Sequence, residues 1–125
     1  MRMFTILLSI LLSGQIACSA QASTALDVNE FNKAIENGDA LLVDVRTPQE
    51  HASGHIPGSV NIDWTGKNYE AEFAKLDRER PLLLYCAVGG RSDQAREYLE
   101  QKGYVVKDLD GGIQAWKEAG MPVER

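Results

Sequence analysis

The residues best suited to chemistry lie together in Cys86-Ala87-Val88-Gly89-Gly90-Arg91, a thiol, two glycines and a guanidinium within one short turn. A free thiol ionises with a pKa of about 8.5, and the thiolate is the nucleophile. A helix N-terminus carries roughly half a positive charge and several unpaired N–H groups, so it favours an anion. Arg91 adds a full charge, and Gly89 and Gly90 can take positive φ, which lets successive amides turn inward around an anion. The pattern predicts a Cys86 that is partly ionised, exposed and nucleophilic. The plainer reading is a buried cysteine closing a core strand; the glycines and arginine after it favour the reactive thiol.

Such a turn needs a strand before it and a helix after it. Leu82 to Tyr85, following Pro81, is a short apolar run of the kind buried on both faces of a sheet. Ser92 and Asp93 are capping types, and Ala95, Tyr98 and Leu99 recur at helical spacing, which predicts a helix from Ser92 to Lys102 ended by Gly103. In open α/β sheets ligands sit in this place, beyond the carboxyl end of a strand and at a helix N-terminus.

The rest of the chain repeats the alternation. A short strand is predicted over 23–26. Asp27 caps a helix from Val28 to Glu36, with Glu30 as its capping-box partner and Asn37-Gly38 as its end. Ala40 to Val45 reads as a buried strand. Thr47 caps a short helix from Pro48 to Ser53, and 54–58 is a turn before a strand over 59–62. Helix signals return over 69–76, a charged loop follows over 77–80, a last strand covers 104–108, and a final helix runs from Ile113 to Ala119. Strands alternating with helices predict an α/β fold whose parallel sheet is covered on both faces.

The 125 residues suffice for one domain with a real core. Arg2, the apolar run Phe4 to Leu12 and the small-x-small Ala20-Gln21-Ala22 predict a signal peptide over 1–22 and a domain over 23–125, exported to the periplasm or secreted. The run is too short for a membrane span, which needs ~20 apolar residues. Lipoprotein processing at Cys18 is the rival reading, with Gln15 standing where an aliphatic residue is wanted. Cleavage after Ala22 removes Arg2 and moves the net charge from −5 to −6, which disfavours a nucleic-acid partner. It also leaves Cys86 as the lone thiol, so no internal disulfide can form.

Three segments together resemble the rhodanese homology domain, the fold of single-domain sulfurtransferases. Leu42 to Ile62, with Asp44-Val-Arg46, Glu50 and Gly54-His55-Ile56, is similar to the family's opening signature. The Cys86–Arg91 loop is the second segment, and Leu109 to Val123, with Gly111-Gly112 and Trp116, is similar to the closing signature. The resemblance implies a doubly wound α/β fold with a five-stranded parallel sheet and helices on both faces. It implies that Cys86 is the catalytic residue. A sulfane sulfur donor such as thiosulfate would leave Cys86 as a persulfide, and cyanide or a thiol would take the outer sulfur in a ping-pong sequence. The amides of Ala87, Val88, Gly89, Gly90 and Arg91 would hold that sulfur, without metal or organic cofactor. A monomer acting on small-molecule donors and acceptors is expected.

Two comparisons sharpen this reading. Cysteine phosphatases and arsenate reductases place five residues between cysteine and arginine, whereas four separate Cys86 from Arg91, a smaller ring that suits one sulfur atom. Members that use thiosulfate well often carry a cation or hydroxyl after the cysteine, and Ala87 and Val88 are apolar. A persulfide or polysulfide donor is therefore as plausible as thiosulfate. A non-catalytic relay or partner-docking module is the alternative from another class.

Other residues read as structural. Asp44 and Arg46 form a pair, His55 stabilises a turn, His51 is a partly exposed packing residue, and Tyr85 and Trp116 belong to the core. Trp64 flanks the site or packs under a loop. Asp93, Arg96 and Glu97 form a solvated helix face. His51 and His55 have a metal-like spacing, but Gly54 interrupts the helix between them and no third ligand stands near.

Overall fold

A computed structural model describes residues 24–125; the expected signal peptide and Cys18 lie outside the described residues. Five strands, β1 (Ala25–Leu26), β2 (Leu41–Asp44), β3 (Val60–Asn61), β4 (Leu82–Tyr85) and β5 (Val106–Leu109), form one sheet in the order β1-β5-β4-β2-β3. Every pairing is parallel. The helices are α1 (Val28–Asn37), α2 (Pro48–Ser53), α3 (Tyr69–Ala74), α4 (Gly90–Gln101) and α5 (Gly112–Glu118). Parallel neighbours need crossovers, and these helices supply them on both faces.

Side chains alternate along a strand, so β4 feeds both faces. Leu82, Leu84 and Cys86 join Val43, Val106, Phe73 of α3 and Ala95 and Leu99 of α4. Leu83 and Tyr85 join Leu42, Leu109, Phe31 of α1 and Ile113 and Trp116 of α5. All four β4 residues are buried, as the uninterrupted apolar run requires. The parity places Cys86 on the α3–α4 side, beyond the last residue of the central strand.

Local signals account for most boundaries. Asp27 and Thr47 each make a reciprocal capping box, with Glu30 and Glu50, and Gly38 closes α1 in the left-handed region. The start of α4 departs from expectation. It begins at Gly90, two residues before Ser92, with Gly89 as its cap at φ 113°. Ser92 caps nothing; from inside the first turn its hydroxyl donates back to the Gly89 carbonyl at 3.1 Å. Among the described residues no helix is long and apolar enough to cross a membrane.

Candidate active site

The junction of β4 and α4 presents the thiol from below. The Gly89 N–H donates to Cys86 Sγ at 3.0 Å. That bond needs the chain to turn back within three residues, which Gly89 does at a φ that L side chains rarely adopt. Gly90 is not left-handed; it opens α4, so only one of the two glycines makes the turn. The expected exposure of Cys86 is corrected here, because the residue is 1% exposed. The loop folds over the thiol, leaving Val88 outermost at 63% exposure.

A second helix holds the loop from the other side. The N–H groups of Ile113 and Gln114, in the first turn of α5, donate to the carbonyls of Cys86 and Ala87 at 2.9 and 3.1 Å. The two chains approach so closely that a Cβ on Gly112 would lie 2.5 Å from the Ala87 carbonyl oxygen. Gly112 also sits at φ 61°. Gly112, the second of the Gly-Gly pair, is therefore a clamp on the backbone of the cysteine loop. The Leu109–Gly112 turn was visible in the sequence, but its contact with residue 86 is not a local property.

Arg91 is not a free loop cation. It lies in the first turn of α4 and forms a two-pronged ion pair with Glu50 of α2, Nη1 to Oε1 at 2.7 Å and Nη2 to Oε2 at 2.9 Å. Arg91 holds the Glu50 carboxyl far below its ordinary range, at about 2, against the opposing effect of burial. The same pairing raises Arg91. Its positive charge is thus largely answered by protein before any substrate arrives. Glu50 also closes the capping box of α2, so one carboxylate ties α2 to the cysteine loop.

Behind the thiol runs a buried polar chain that sequence reasoning missed. Cys86 Sγ lies 3.6 Å from Ser92 Oγ, which lies 3.3 Å from Asp108 Oδ2. The other carboxylate oxygen, Oδ1, faces Arg96 Nε at 3.4 Å without the alignment of a hydrogen bond, and both atoms are buried without a hydrogen-bond partner. Burial pushes the Asp108 carboxyl up, with Arg96 pulling the other way. Arg96 also reaches Asp93 and Glu100, so it is not simply part of a solvated face. The available signal was an aspartate at the same parity as Val106, whose side chain points into the core, in the last strand.

The opposite face of the sheet holds the pair expected to be structural. Arg46 donates from Nε to Asp44 Oδ1 at 3.0 Å and from Nη2 to Oδ2 at 2.7 Å, and both residues are buried. Arg46 also donates to the Gly54 carbonyl at 2.7 Å. His51 Nδ1 lies 2.9 Å from Asp44 Oδ2, so His51 hydrogen-bonds rather than merely packs. His55 fixes its turn through the His51 carbonyl and an antiparallel bridge to Glu124. Tyr85 accepts the Ile56 N–H at 3.0 Å, and Trp116 donates to the Pro122 carbonyl at 2.8 Å, both from within the core. Trp64, in the segment that leads into α3, packs at tilted ring angles against Tyr69 and Tyr98 and donates to Gln94 of α4.

The comparisons with known proteins agree with this architecture. A family model described as a rhodanese-like domain matches residues 27–119. A sulfurtransferase of Allochromatium vinosum is 41% identical over 86 residues, covering 68% of this chain and 78% of the relative. The crystal structure of a rhodanese-related protein from Thermoplasma volcanium superposes with a TM-score of 0.73 at 33% identity, covering 80% of this chain and 96% of that one. A rhodanese-like domain protein from Staphylococcus aureus superposes with a TM-score of 0.68 at 29% identity, over 81% of this chain and 98% of that one. A five-stranded parallel sheet that delivers a cysteine to a helix N-terminus, and a family match across nearly every described element, lead to one conclusion: the chain belongs to the rhodanese-like domain family, whose chemistry is sulfur transfer.

Proposed function

We propose that this protein is an exported sulfurtransferase working through a persulfide on Cys86. The observation that carries the reading is the Gly89 N–H at 3.0 Å from Sγ, at the mouth of α4. A donor amide and a helix N-terminus at one sulfur favour negative charge there. In the first half-reaction the Cys86 thiolate attacks the outer sulfur of thiosulfate or of a persulfide or polysulfide. An S–S bond forms to Sγ, the donor's S–S bond breaks, and sulfite or a thiolate leaves with the electron pair. In the second, cyanide or a thiol takes the outer sulfur and returns the thiolate. The loop amides of Ala87 to Arg91 hold the outer sulfur.

The pairing of Arg91 with Glu50 bears on the donor. A dianion such as thiosulfate finds little uncompensated charge, which favours a donor of lower charge such as an organic persulfide. The exposed Val88 gives a carrier protein an apolar contact beside the thiol, and this keeps a protein-to-protein sulfur relay as the second reading. Export rests on the N-terminal pattern, Arg2, the apolar run Phe4 to Leu12 and Ala20-Gln21-Ala22. The mass of the processed chain tests it: a chain starting at Ser23 is expected, and a lipid on Cys18 would replace that model with a membrane anchor.

The test of the chemistry is the intact mass after exposure to thiosulfate or polysulfide, followed by cyanide and a thiocyanate assay. One added sulfur that cyanide removes, absent in Cys86→Ser, is expected. Folded, reduced protein that gains no sulfur from any small donor would overturn the enzyme reading and leave the docking module.

A further inference from the structure

The polar chain behind Cys86 has more acceptors than protons. Ser92 has one hydroxyl proton and two acceptors competing for it, the Gly89 carbonyl at 3.1 Å and Asp108 Oδ2 at 3.3 Å, while Cys86 Sγ donates to Ser92 Oγ at 3.6 Å. Ser92 is fully buried and the Asp108 side chain is 5% exposed, so water does not readily make up the deficit. Asp108 Oδ1 has only the misaligned Arg96 Nε. This under-satisfied carboxylate lies one side chain away from the thiol, on the same face of the sheet.

We propose that Asp108 is a positioning residue that, through Ser92, sets whether Cys86 meets a hydrogen-bond acceptor or a donor. The proposal rests on the reading of Cys86 as the reacting thiol. With Asp108 ionised, the Ser92 hydroxyl turns to the carboxylate or to Gly89 and offers Cys86 only a lone pair, which suits S–H. With Asp108 protonated on Oδ2, the carboxyl O–H donates to Ser92 Oγ. The Ser92 proton is then free to donate to Sγ, which suits the thiolate whose proton has gone to solvent. Oδ1 stays towards Arg96 in both states.

The groups that bear on Asp108 are few. From α4 come Arg96, with Asp93 and Glu100 answering its charge, and Ser92. Cys86 closes the chain beyond β4. The residues of β4 and β1 that pair with Asp108 are Leu84 and Ala25, neither titratable. Asp93 opposes ionisation of Asp108 and Arg96 favours it, while burial outweighs both.

The test follows alkylation of Cys86 by iodoacetamide against pH in the full chain, read by mass spectrometry on the peptide that contains Cys86. It needs no sulfur transfer, so its failure is distinct from failure of the enzyme reading. Asp108→Asn keeps the shape and offers Ser92 an amide N–H permanently. Its alkylation midpoint is expected about one pH unit lower, about tenfold faster below the midpoint. In Ser92→Ala/Asp108→Asn the gain is expected to vanish relative to Ser92→Ala. An unchanged midpoint in Asp108→Asn overturns the proposal. So does a gain that survives without Ser92, because removal of a nearby charge then explains it. Should Asp108→Asn fail to fold, carboxyl NMR of Asp108 in the unsubstituted chain decides. Linkage is reciprocal, so alkylating Cys86 is expected to move the Asp108 titration in the wild type but not in Ser92→Ala; no movement overturns the proposal.

Discussion

Two aspartates, Asp44 at the end of β2 and Asp108 near the end of β5, flank the central strand β4 on opposite faces of the sheet, and they are treated differently. Asp44 is saturated: Arg46 grips both oxygens, the Arg46 N–H donates at 3.0 Å, and His51 adds another contact. Burial acts to lower Arg46, yet the hydrogen bonds and charge of Asp44 outweigh it and hold the guanidinium above its ordinary value. Asp108 has one long hydrogen bond and one misaligned cation. The first is a closed network that fixes the turn before β3. The second is left open behind the thiol. A closed network resists change, whereas an open one can hold its proton in more than one place.

Breaking the closed side should cost most. Asp44→Ala leaves the Arg46 charge buried without its partner and is expected to destabilise by about 3–5 kcal/mol in urea unfolding. Loss near zero would show that Gly54 and solvent suffice for Arg46. Gly112→Ala attacks the clamp of α5 on the cysteine loop. The positive φ alone is worth roughly 1–3 kcal/mol, and the Cβ would push Ala87 away from α5. Slower sulfur loading of Cys86 is expected beside the lower denaturation midpoint.

Tyr85→Phe probes the Asp44 face more gently. It leaves the buried Ile56 N–H without an acceptor, at about 1–3 kcal/mol. Burial pushes the Tyr85 phenol up to about 12. Its folded value exceeds its unfolded one, so its contribution is complete below the ordinary value of 10.0 and is lost as pH rises towards about 12. A shallower alkaline loss of stability in Tyr85→Phe is the expected outcome. On the open side, Asp108→Asn removes a carboxylate whose ionisation burial opposes, and should stabilise the neutral-pH protein by up to about 1 kcal/mol. A large loss instead would make Asp108 as structural as Asp44.

The smallest effect concerns Glu50, the link between α2 and the cysteine loop. Its folded value is depressed from 4.5 to about 2 by Arg91. The contribution is therefore present above 4.5 and lost as pH falls through about 2. Glu50→Gln should flatten that acid limb of the stability curve. It should also make thiosulfate a better donor relative to an organic persulfide, because Arg91 is released. An unchanged donor ratio would remove Arg91 from the account of donor choice.

The elements that carry the site were legible because their causes are local. A four-residue apolar run is buried on both faces, Asp27 and Thr47 make the capping boxes their spacing predicts, and the arrangement of Asp44 and Arg46 is as expected. The start of α4 was misplaced because Ser92 has the composition of a cap, while a positive-φ glycine can cap without a side chain. The expected exposure of Cys86 does not hold because the loop closes over the thiol, a contact that no short stretch of sequence encodes.

The sequence by itself determined the alternation of strands and helices, the cysteine-to-arginine spacing and the family these imply, since periodicity, caps and turns act within a few residues. Only the tertiary structure decided that Glu50 answers Arg91, that Gly112 presses on Ala87, and that Ser92 and Asp108 stand behind Cys86. Those partners lie 41, 25 and 16 residues apart along the chain. Strand order and side-chain parity bring them together, so charge compensation and the placement of the thiol's proton emerge only when the sheet closes.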